Sequence, residues 1–201
     1  INPILKYIDV PDVPVQKILH ELVRRGGSAT AGEIFNAIPL KRERIDRIIA
    51  KMQANNLITV ERTRKGRKLI YEGGLHEQVD SVAPSEVGRR IAMKCMNYYL
   101  ENNYYVSAVK QLPGSSRPDM VAIPIDIATM RPLYSEAIAV EIEASPEKGK
   151  HVEEQILQNW TKPSTKDFKE IHTRSLLKNK DKIISLYLSI DSEMREKIKL
   201  F

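Results

Sequence analysis

Cysteine is almost absent from this 201-residue chain, whose only example is Cys95. A single cysteine cannot form an internal disulfide, and the four histidines have no Cys/His metal-site spacing. No apolar run is long enough to cross a bilayer, and the start shows no signal-peptide pattern. These absences argue against secreted disulfide-rich, zinc-binding and membrane proteins, and they predict a cytoplasmic location. Because the chain begins at Ile1 rather than Met, we expect it to be a fragment of a longer protein.

Positive charge is concentrated in one part of the chain. The whole sequence has a formal net charge of +6, whereas residues 41–68 alone hold ten basic and three acidic side chains. A charge this localised is typical of a surface that binds a polyanion, most simply nucleic acid. A solvated basic surface would explain the charge equally well.

Residues 1–75 are predicted to form a first domain. Apolar residues recur at helical spacing in three segments within residues 15–54. Two strand-like stretches follow, residues 57–63 and 67–71, and a turn containing Gly66 joins them into a hairpin.

Three helices followed by a β-hairpin resemble the winged helix-turn-helix family. The resemblance implies that the third helix is the recognition helix and that the hairpin turn is the tip of the wing. The basic side chains of the third helix fall away from its apolar stripe, so they face outward together. Many winged helices bind other proteins, and that alternative stays open. The residues predicted to contact double-stranded DNA are Arg42, Arg44, Arg47, Lys51, Arg64, Lys65, Arg67 and Lys68.

Residues 76–84 are polar and are predicted to be a linker to a second domain, residues 85–201. The predicted order there is helix, three strands, helix, strand. The predicted elements are a helix over 85–101, strands over 104–110, 118–125 and 136–144, a helix over 146–162, strands over 168–173 and 183–190, and a helix over 192–201.

Two features of the second domain indicate a metal-binding or catalytic site. Asp119 precedes an apolar strand, and Glu141 and Glu143 share one face of another, since side chains alternate along a strand. Neighbouring carboxylates on a largely buried sheet are unfavourable unless a cation such as Mg²⁺ neutralises them. Two other interpretations stay open: Asp119 as a turn residue after Pro118, and the two glutamates on the solvent side of an edge strand.

Pro118-Asp119 and Glu141-Ile142-Glu143, in this order of elements, resemble the PD-(D/E)xK nuclease superfamily, which includes restriction enzymes and archaeal Holliday-junction resolvases. The resemblance implies that Asp119 and Glu141 bind Mg²⁺ or Mn²⁺ together with the Ile142 carbonyl. Glu86 matches a further metal-binding acid by its position on the first helix. Any Glu is also favourable in a first helical turn, so its role stays open.

Glu143 stands where the family usually has a lysine. A carboxylate there cannot offset charge on the phosphate, although some restriction enzymes carry Glu at this position. In other members the lysine comes from the following helix, where this chain places Lys148, His151, Gln155 and Lys162 at helical spacing. Glu143, Lys148 and Gln155 are therefore candidate catalytic residues beside Asp119 and Glu141. A solvated helix face is the other interpretation of Lys148.

The predicted fold class is an α+β winged helix, made of three helices plus a β-hairpin, followed by an α/β restriction-endonuclease-like domain with an αβββαβ mixed sheet flanked by helices. The predicted function is metal-dependent hydrolysis of DNA, carried out by a homodimer that needs no small-molecule cofactor. The alternative is a catalytically inactive nuclease fold that acts as a DNA-binding regulator, or as a replication, partition or conjugation factor.

Overall fold

A computed structural model describes residues 2–74, 85–114, 116–143, 150–176 and 179–201. Within these residues the chain is an α+β protein with helices and a mixed β-sheet. It divides into two compact units. The small unit contains Pro11–Gly74 and Ile125–Pro132, and the large unit contains the described residues of Ile1–Val10, Leu75–Pro124 and Leu133–Phe201. No helix among the described residues has the length and apolar character needed to span a membrane.

The small unit has three helices and a small antiparallel sheet. The helices are α1 (Val13–Arg24), α2 (Ala31–Ala37) and α3 (Arg42–Ala54). The strands β1 (Ser28–Thr30), β2 (Thr59–Thr63) and β3 (Gly66–Ile70) pair in the order β1-β3-β2. The core is formed by the apolar faces of the helices against β3. Its fully buried side chains include Ile18, Leu22, Ile34, Ile45, Ile49, Met52 and Leu69.

Local sequence signals explain how these elements begin and turn. The Thr30 side chain accepts a hydrogen bond from the Glu33 amide and the Glu33 carboxylate accepts one from the Thr30 amide, a reciprocal cap that starts α2. Gly66 has φ of +108° at the end of the β2–β3 turn, a conformation that glycine adopts without strain. The helices and the hairpin agree with the sequence prediction, whereas β1 was not predicted because three residues are too short to show periodicity.

The large unit is built on a mixed sheet with the strand order β4-β5-β7-β8-β9. The pairs β4–β5 and β5–β7 are antiparallel, and β7–β8 and β8–β9 are parallel. A two-residue strand, β6 (Arg131–Pro132), pairs with Ile125 and Asp126 at the end of β5, and these residues belong to the small unit, whereas the sequence assigns them to the second domain. The other strands are β4 (Tyr104–Ala108), β5 (Met120–Asp126), β7 (Ile138–Glu143), β8 (Glu170–Ser175) and β9 (Ile198–Leu200).

Helices cover both faces of this sheet, and alternate residues of each central strand pack against different helices. On one face, α4 (Glu86–Glu101) packs on Ala122 and Val140. On the other, α5 (Lys150–Thr161) buries Trp160 against a cluster that includes Ala139 and Ile171. The remaining helices are α6 (Lys180–Ser189), α7 (Ser192–Lys197) and three 3₁₀ turns at Pro3–Lys6, Tyr134–Glu136 and Pro163–Asp167.

The N-terminal residues pack in the large unit, whereas the sequence assigns them to the first domain. Ile4 is 1% exposed and lies in the same cluster as Trp160. The Tyr7 hydroxyl donates a hydrogen bond of 2.6 Å to the Asp167 carboxylate. The compact unit that contains α1 therefore begins at Pro11.

The C-terminal part corrects two predicted elements. Residues 183–190, predicted as a strand, belong to helix α6 (Lys180–Ser189), in which Ile183 is buried and Leu188 is exposed. The predicted helix over 192–201 ends at Lys197 and gives way to β9, which pairs with β8. Short apolar runs rich in Ile and Leu fit both periodicities, and packing on the sheet decides between them.

Candidate active site and candidate nucleic-acid interface

Asp119 lies directly before β5, beside the carboxyl end of β7. Its Oδ2 atom accepts a hydrogen bond of 2.8 Å from the Ile142 backbone amide. Burial raises the pKa of the Asp119 carboxyl, while the Ile142 amide and the charge of Lys162 act in the opposite direction. This hydrogen bond joins the start of β5 to the end of β7 and excludes the interpretation of Asp119 as a free turn residue.

Glu141 lies in the interior of the sheet, since β7 is hydrogen-bonded to β5 on one side and to β8 on the other. It is 2% exposed, so it does not lie on the solvent side of an edge strand. Burial, followed by the negative charge of Asp119, raises the pKa of Glu141 to about 8. Its counter-ion is the Lys162 ammonium, with which it forms an ion pair.

Glu143 lies two residues further along β7, on the same face of the strand as Glu141. The Asn159 side-chain amide donates a hydrogen bond of 2.9 Å to Glu143 Oε1. Burial, and then the negative charge of Asp119, raise the pKa of Glu143 to about 7. Three carboxyl groups whose pKa values are raised by burial therefore share this end of the sheet, and the charge of Asp119 adds to the rise in the pKa of Glu141 and of Glu143.

Lys162 directly follows α5 and supplies the positive charge of this cluster. Besides Glu141, its ammonium contacts the Arg117 carbonyl oxygen, to which it donates a hydrogen bond of 3.1 Å. Lys162 was one of the four polar residues noted at helical spacing around α5, and it is the one whose side chain is paired with the buried carboxylate. Of the other three, Lys148 and the side chain of His151 lie outside the described residues.

These groups line a polar cleft of about 480 Å³ in the large unit. Gln155 also lines it, and its Nε2 donates to Asn159 Oδ1 over 3.3 Å. The loop before β5 forms another wall, where Gln111 Nε2 donates 2.9 Å to the Pro118 carbonyl. The residues around the cleft include Gln111, Ser116, Arg117, Asp119, Glu141, Ile142, Glu143, Gln155, Gln158, Asn159 and Lys162.

Glu86, predicted as a metal ligand, does not line this cleft. It begins α4 and forms an ion pair with Arg90 one turn further along, and both side chains are 74% exposed. Favourable interaction with the helix N-terminus and with Arg90 accounts for an acidic residue here. Conversely, Asn159 was not predicted as a site residue, although its spacing of four from Gln155 places it on the same helix face.

The predicted DNA-contacting residues lie on α3 and on the β2–β3 hairpin of the small unit. Four of them, Arg44, Arg47, Arg64 and Lys65, are exposed and have no ion-pair partner within the described part of the chain. The Arg42 guanidinium lies 4.7 Å from the centre of the Phe35 ring, and Lys51 is 3.9 Å from Asp12.

Arg67 differs from the other basic residues of the hairpin. Its guanidinium pairs with the Asp46 carboxylate, which connects β3 to the middle of α3. Lys68 is partly buried and lies opposite Glu61 in the β2–β3 register. Arg67 therefore connects the hairpin to the helix, and the predicted DNA-contacting side chains that are exposed and have no ion-pair partner in the described part of the chain lie on α3 and at the turn.

Comparison of the chain with protein families, with curated proteins and with solved structures found no match. The geometry of the cleft and the distribution of charge therefore carry the functional argument.

Proposed function

We propose that this chain is a DNA-binding protein that hydrolyses DNA phosphodiester bonds with the help of a divalent metal ion. In this proposal the small unit is a winged helix that docks on duplex DNA, and the large unit is a restriction-endonuclease-like domain. The observation that carries the proposal is the convergence of Asp119, Glu141, Glu143 and Lys162 in one polar cleft.

The arrangement of backbone elements supports the same proposal. A helix, three strands, a helix and a strand follow one another in the large unit, apart from the short strand β6. Asp119 precedes the second of those three strands and Glu141 lies in the third, and the two strands are adjacent and antiparallel. Two carboxylates can bind one cation only if they lie close together, and adjacent strands place Asp119 and Glu141 in that way.

The donor set fits a hard cation such as Mg²⁺ or Mn²⁺. No group of three or more His, Cys, Asp or Glu side chains within the described ranges is placed to hold a metal ion. Magnesium commonly binds through only one or two carboxylates and keeps several waters, so Asp119 and Glu141 suffice. When bound, such an ion supplies charge neutralisation for the phosphate and a more acidic water.

The protein's own groups have separable roles. Asp119 and Glu141 hold the cation, and the hydrogen bond from the Ile142 amide keeps Asp119 oriented toward β7. The Lys162 ammonium takes the place of the family lysine and offsets negative charge that develops on the phosphate. Asn159 holds the Glu143 carboxylate, which accepts a proton from water near neutral pH because its pKa is raised to about 7.

The small unit supports DNA binding through its unpaired cations. Arg44 and Arg47 lie on α3, and Arg64 and Lys65 form the turn between β2 and β3. A basic helix beside a basic hairpin suits a groove and its flanking phosphates. This part of the proposal does not depend on cleavage.

The second candidate is a nuclease fold without activity that only binds DNA. It is favoured by one observation, namely that the Lys162 ammonium pairs with Glu141, one of the two carboxyl groups that would hold the cation. Together with Glu143 in the lysine position, this ion pair is the arrangement we expect in a site that no longer cleaves. The two candidates differ in cleavage and agree in DNA binding.

A plasmid-nicking assay separates them. Purified protein is incubated with supercoiled plasmid and Mg²⁺ or Mn²⁺, and the wild type is compared with Asp119→Ala, Glu141→Gln and the control Glu86→Ala. We expect nicking by the wild type and by Glu86→Ala, and a loss on the order of a hundredfold or more in the two cleft variants. If both cleft variants still nick the plasmid, the assignment of Asp119 and Glu141 as site residues is wrong. If the wild type binds duplex DNA tightly but does not nick it, the second candidate is correct.

The homodimer stays a prediction, and sedimentation velocity with and without duplex DNA tests it. A dimer on one duplex is expected because cutting both strands needs two sites.

A further inference from the structure

Arg174 has an unusual environment on the opposite face of the sheet from the Glu141 cleft. It lies near the end of β8, and its guanidinium carbon is 4.6 Å from the Tyr98 ring centre, 5.2 Å from that of Tyr99 and 3.8 Å from that of Phe201. Each ring attracts the cation through its π face. Of the two tyrosine hydroxyls, that of Tyr99 is hydrogen-bonded to His172 Nδ1; burial raises its pKa, and its interaction with the Arg174 guanidinium partly opposes that rise.

Two guanidinium nitrogens of Arg174, Nε and Nη2, are buried and have no hydrogen-bond partner among the residues that the structure describes. The N–H groups of Nε and Nη2 point in the same direction in the guanidinium plane. This pair of donors, called the Arg174 fork below, can bind a carboxylate or a phosphate through two parallel hydrogen bonds. Arg174 also has no ion pair with any described carboxylate. Buried donors of a charged group are nearly always satisfied, so this fork lacks an anion.

A cleft of about 530 Å³ opens beside Arg174. Lys94 of α4 also lines it, and its exposed ammonium has no carboxylate partner within the described segments. The other walls are mostly apolar, with Ile91, Leu176 and the 43% exposed Phe201 ring, and none of the described residues that line the cleft is acidic. Its volume is within the usual range for a small-molecule site.

We propose that this cleft binds the phosphate group of a nucleotide. The Arg174 fork takes two phosphate oxygens and Lys94 contributes the second positive charge that a phosphomonoester dianion requires. The apolar wall takes the base, which stacks on the exposed Phe201 ring. An inorganic anion would contact Arg174 and Lys94 but would make no contact with the apolar wall, so we favour a nucleotide.

The Phe201 ring lies on the face of the guanidinium, lines the cleft and is 43% exposed. Nε and Nη2 are covered in this structure, so phosphate binding requires a local rearrangement of the cleft wall that exposes them.

The site is separate from the proposed nuclease centre, and its test is independent of cleavage. Arg174 is the strand partner of Ile142, but it faces α4, whereas Glu141 faces α5 and Lys162. The nucleotide comes either as a free monophosphate or as the phosphorylated end of a DNA strand, and the two sources share the same chemistry.

Isothermal titration calorimetry in EDTA tests the proposal with 5′-dAMP on the full chain. The comparison ligands are deoxyadenosine and inorganic phosphate, and the variants are Lys94→Met, Arg174→Lys, the matched exposed-lysine control Lys182→Met, and Asp119→Asn. We expect 5′-dAMP to bind the wild type, Lys182→Met and Asp119→Asn equally, about tenfold more weakly to Lys94→Met, and more weakly still to Arg174→Lys. Lys94 is exposed, so its variant reports on the site even where Arg174→Lys unfolds.

Three results would overturn the proposal: no binding at millimolar 5′-dAMP, binding that Lys94→Met leaves unchanged, or binding that Asp119→Asn abolishes. Binding of inorganic phosphate as tightly as 5′-dAMP would overturn the nucleotide assignment. A short oligothymidylate with a 5′-phosphate, compared with the same strand ending in a 5′-hydroxyl, then identifies the source. Preference for the phosphorylated strand indicates a DNA end, and equal binding of the two indicates the free monophosphate.

Discussion

The Lys162 ammonium and the Glu141 carboxylate form an ion pair whose side chains are only 8% and 3% exposed. Glu141 belongs to a central strand of the sheet and Lys162 directly follows α5, so the pair connects β7 to the end of the helix that comes next in the chain. The charge of Lys162 opposes the effects of burial and of Asp119, which together raise the pKa of Glu141.

Loss of the lysine should destabilise the large unit because it leaves Glu141 buried and unpaired. We expect Lys162→Met to lower the free energy of unfolding by about 3 kcal/mol at pH 9. The loss should shrink at pH 6, where Glu141, with its pKa of about 8, is protonated. Urea unfolding followed by the fluorescence of Trp160, the only tryptophan, measures this. The exposed Lys166→Met is the control, and equal losses in both variants would contradict the prediction.

Glu143 should reduce stability at alkaline pH. Its folded pKa of about 7 lies above its ordinary value of 4.5, so folding favours the protonated form. The unfavourable contribution is absent below about pH 4.5, grows as the pH rises toward 7, and is complete above that. We therefore expect Glu143→Gln, which keeps an acceptor for Asn159, to raise Tm by about 2–5 °C at pH 8.5.

The same comparison at pH 4 should show no difference between Glu143→Gln and the wild type. Differential scanning calorimetry in EDTA measures both values, with the exposed Glu86→Gln as the matched control. A pH-independent effect of Glu143→Gln would mean that packing rather than charge is responsible.

The N-terminal segment should contribute to the stability of the large unit. Ile4 is 1% exposed in the Trp160 cluster, whereas its neighbour Leu5 is 36% exposed. Removal of a buried side chain of this size leaves a cavity, and we expect Ile4→Ala to lower the free energy of unfolding by about 3 kcal/mol. Leu5→Ala, the matched control, should lower it by less than about 1 kcal/mol. Tryptophan fluorescence during urea unfolding checks both, and similar values for the two variants would contradict the packing of this segment.

The turn between β2 and β3 should contribute two phosphate contacts. We expect Arg64→Ala/Lys65→Ala to weaken duplex binding by about tenfold in 0.1 M salt and to reduce the slope of log K against log salt by about 2. Fluorescence anisotropy across a salt series measures both. The control is Lys180→Ala/Lys182→Ala, an exposed pair on α6. If the variant and the wild type have the same slope of log K against log salt, the turn does not contact DNA phosphates.

Local patterns explain why much of the backbone was predictable. The helix α3 has an apolar stripe, Ile45, Ile49 and Met52, at a spacing of three to four, and all three side chains are buried. Strand β5 begins with four buried apolar residues between a loop and a turn. The failures are short or ambiguous segments, such as residues 183–190, because their apolar residues fit a strand and a helix equally well.

The site was predictable only in part. Asp119, Glu141 and Glu143 stand out because acidic residues beside or within apolar strands require compensation, and the three lie together. Glu86 was predicted to be a metal ligand from its position on the first helix alone. It lies in the exposed first turn of α4 and does not line the cleft. Asn159 had one local signal, its spacing of four from Gln155, whereas the ion pair of Lys162 had none because it depends on the angle at which α5 packs on the sheet.

Residue order by itself determined which segments could become buried strands, where helices begin and where positive charge accumulates, because these depend on neighbouring residues. The tertiary structure alone decided that residues 2–10 pack in the large unit, that Lys162 rather than another helix residue meets Glu141, and that Arg174 keeps two donors unpaired. These outcomes depend on strand order and helix packing, which bring together residues that are distant along the chain.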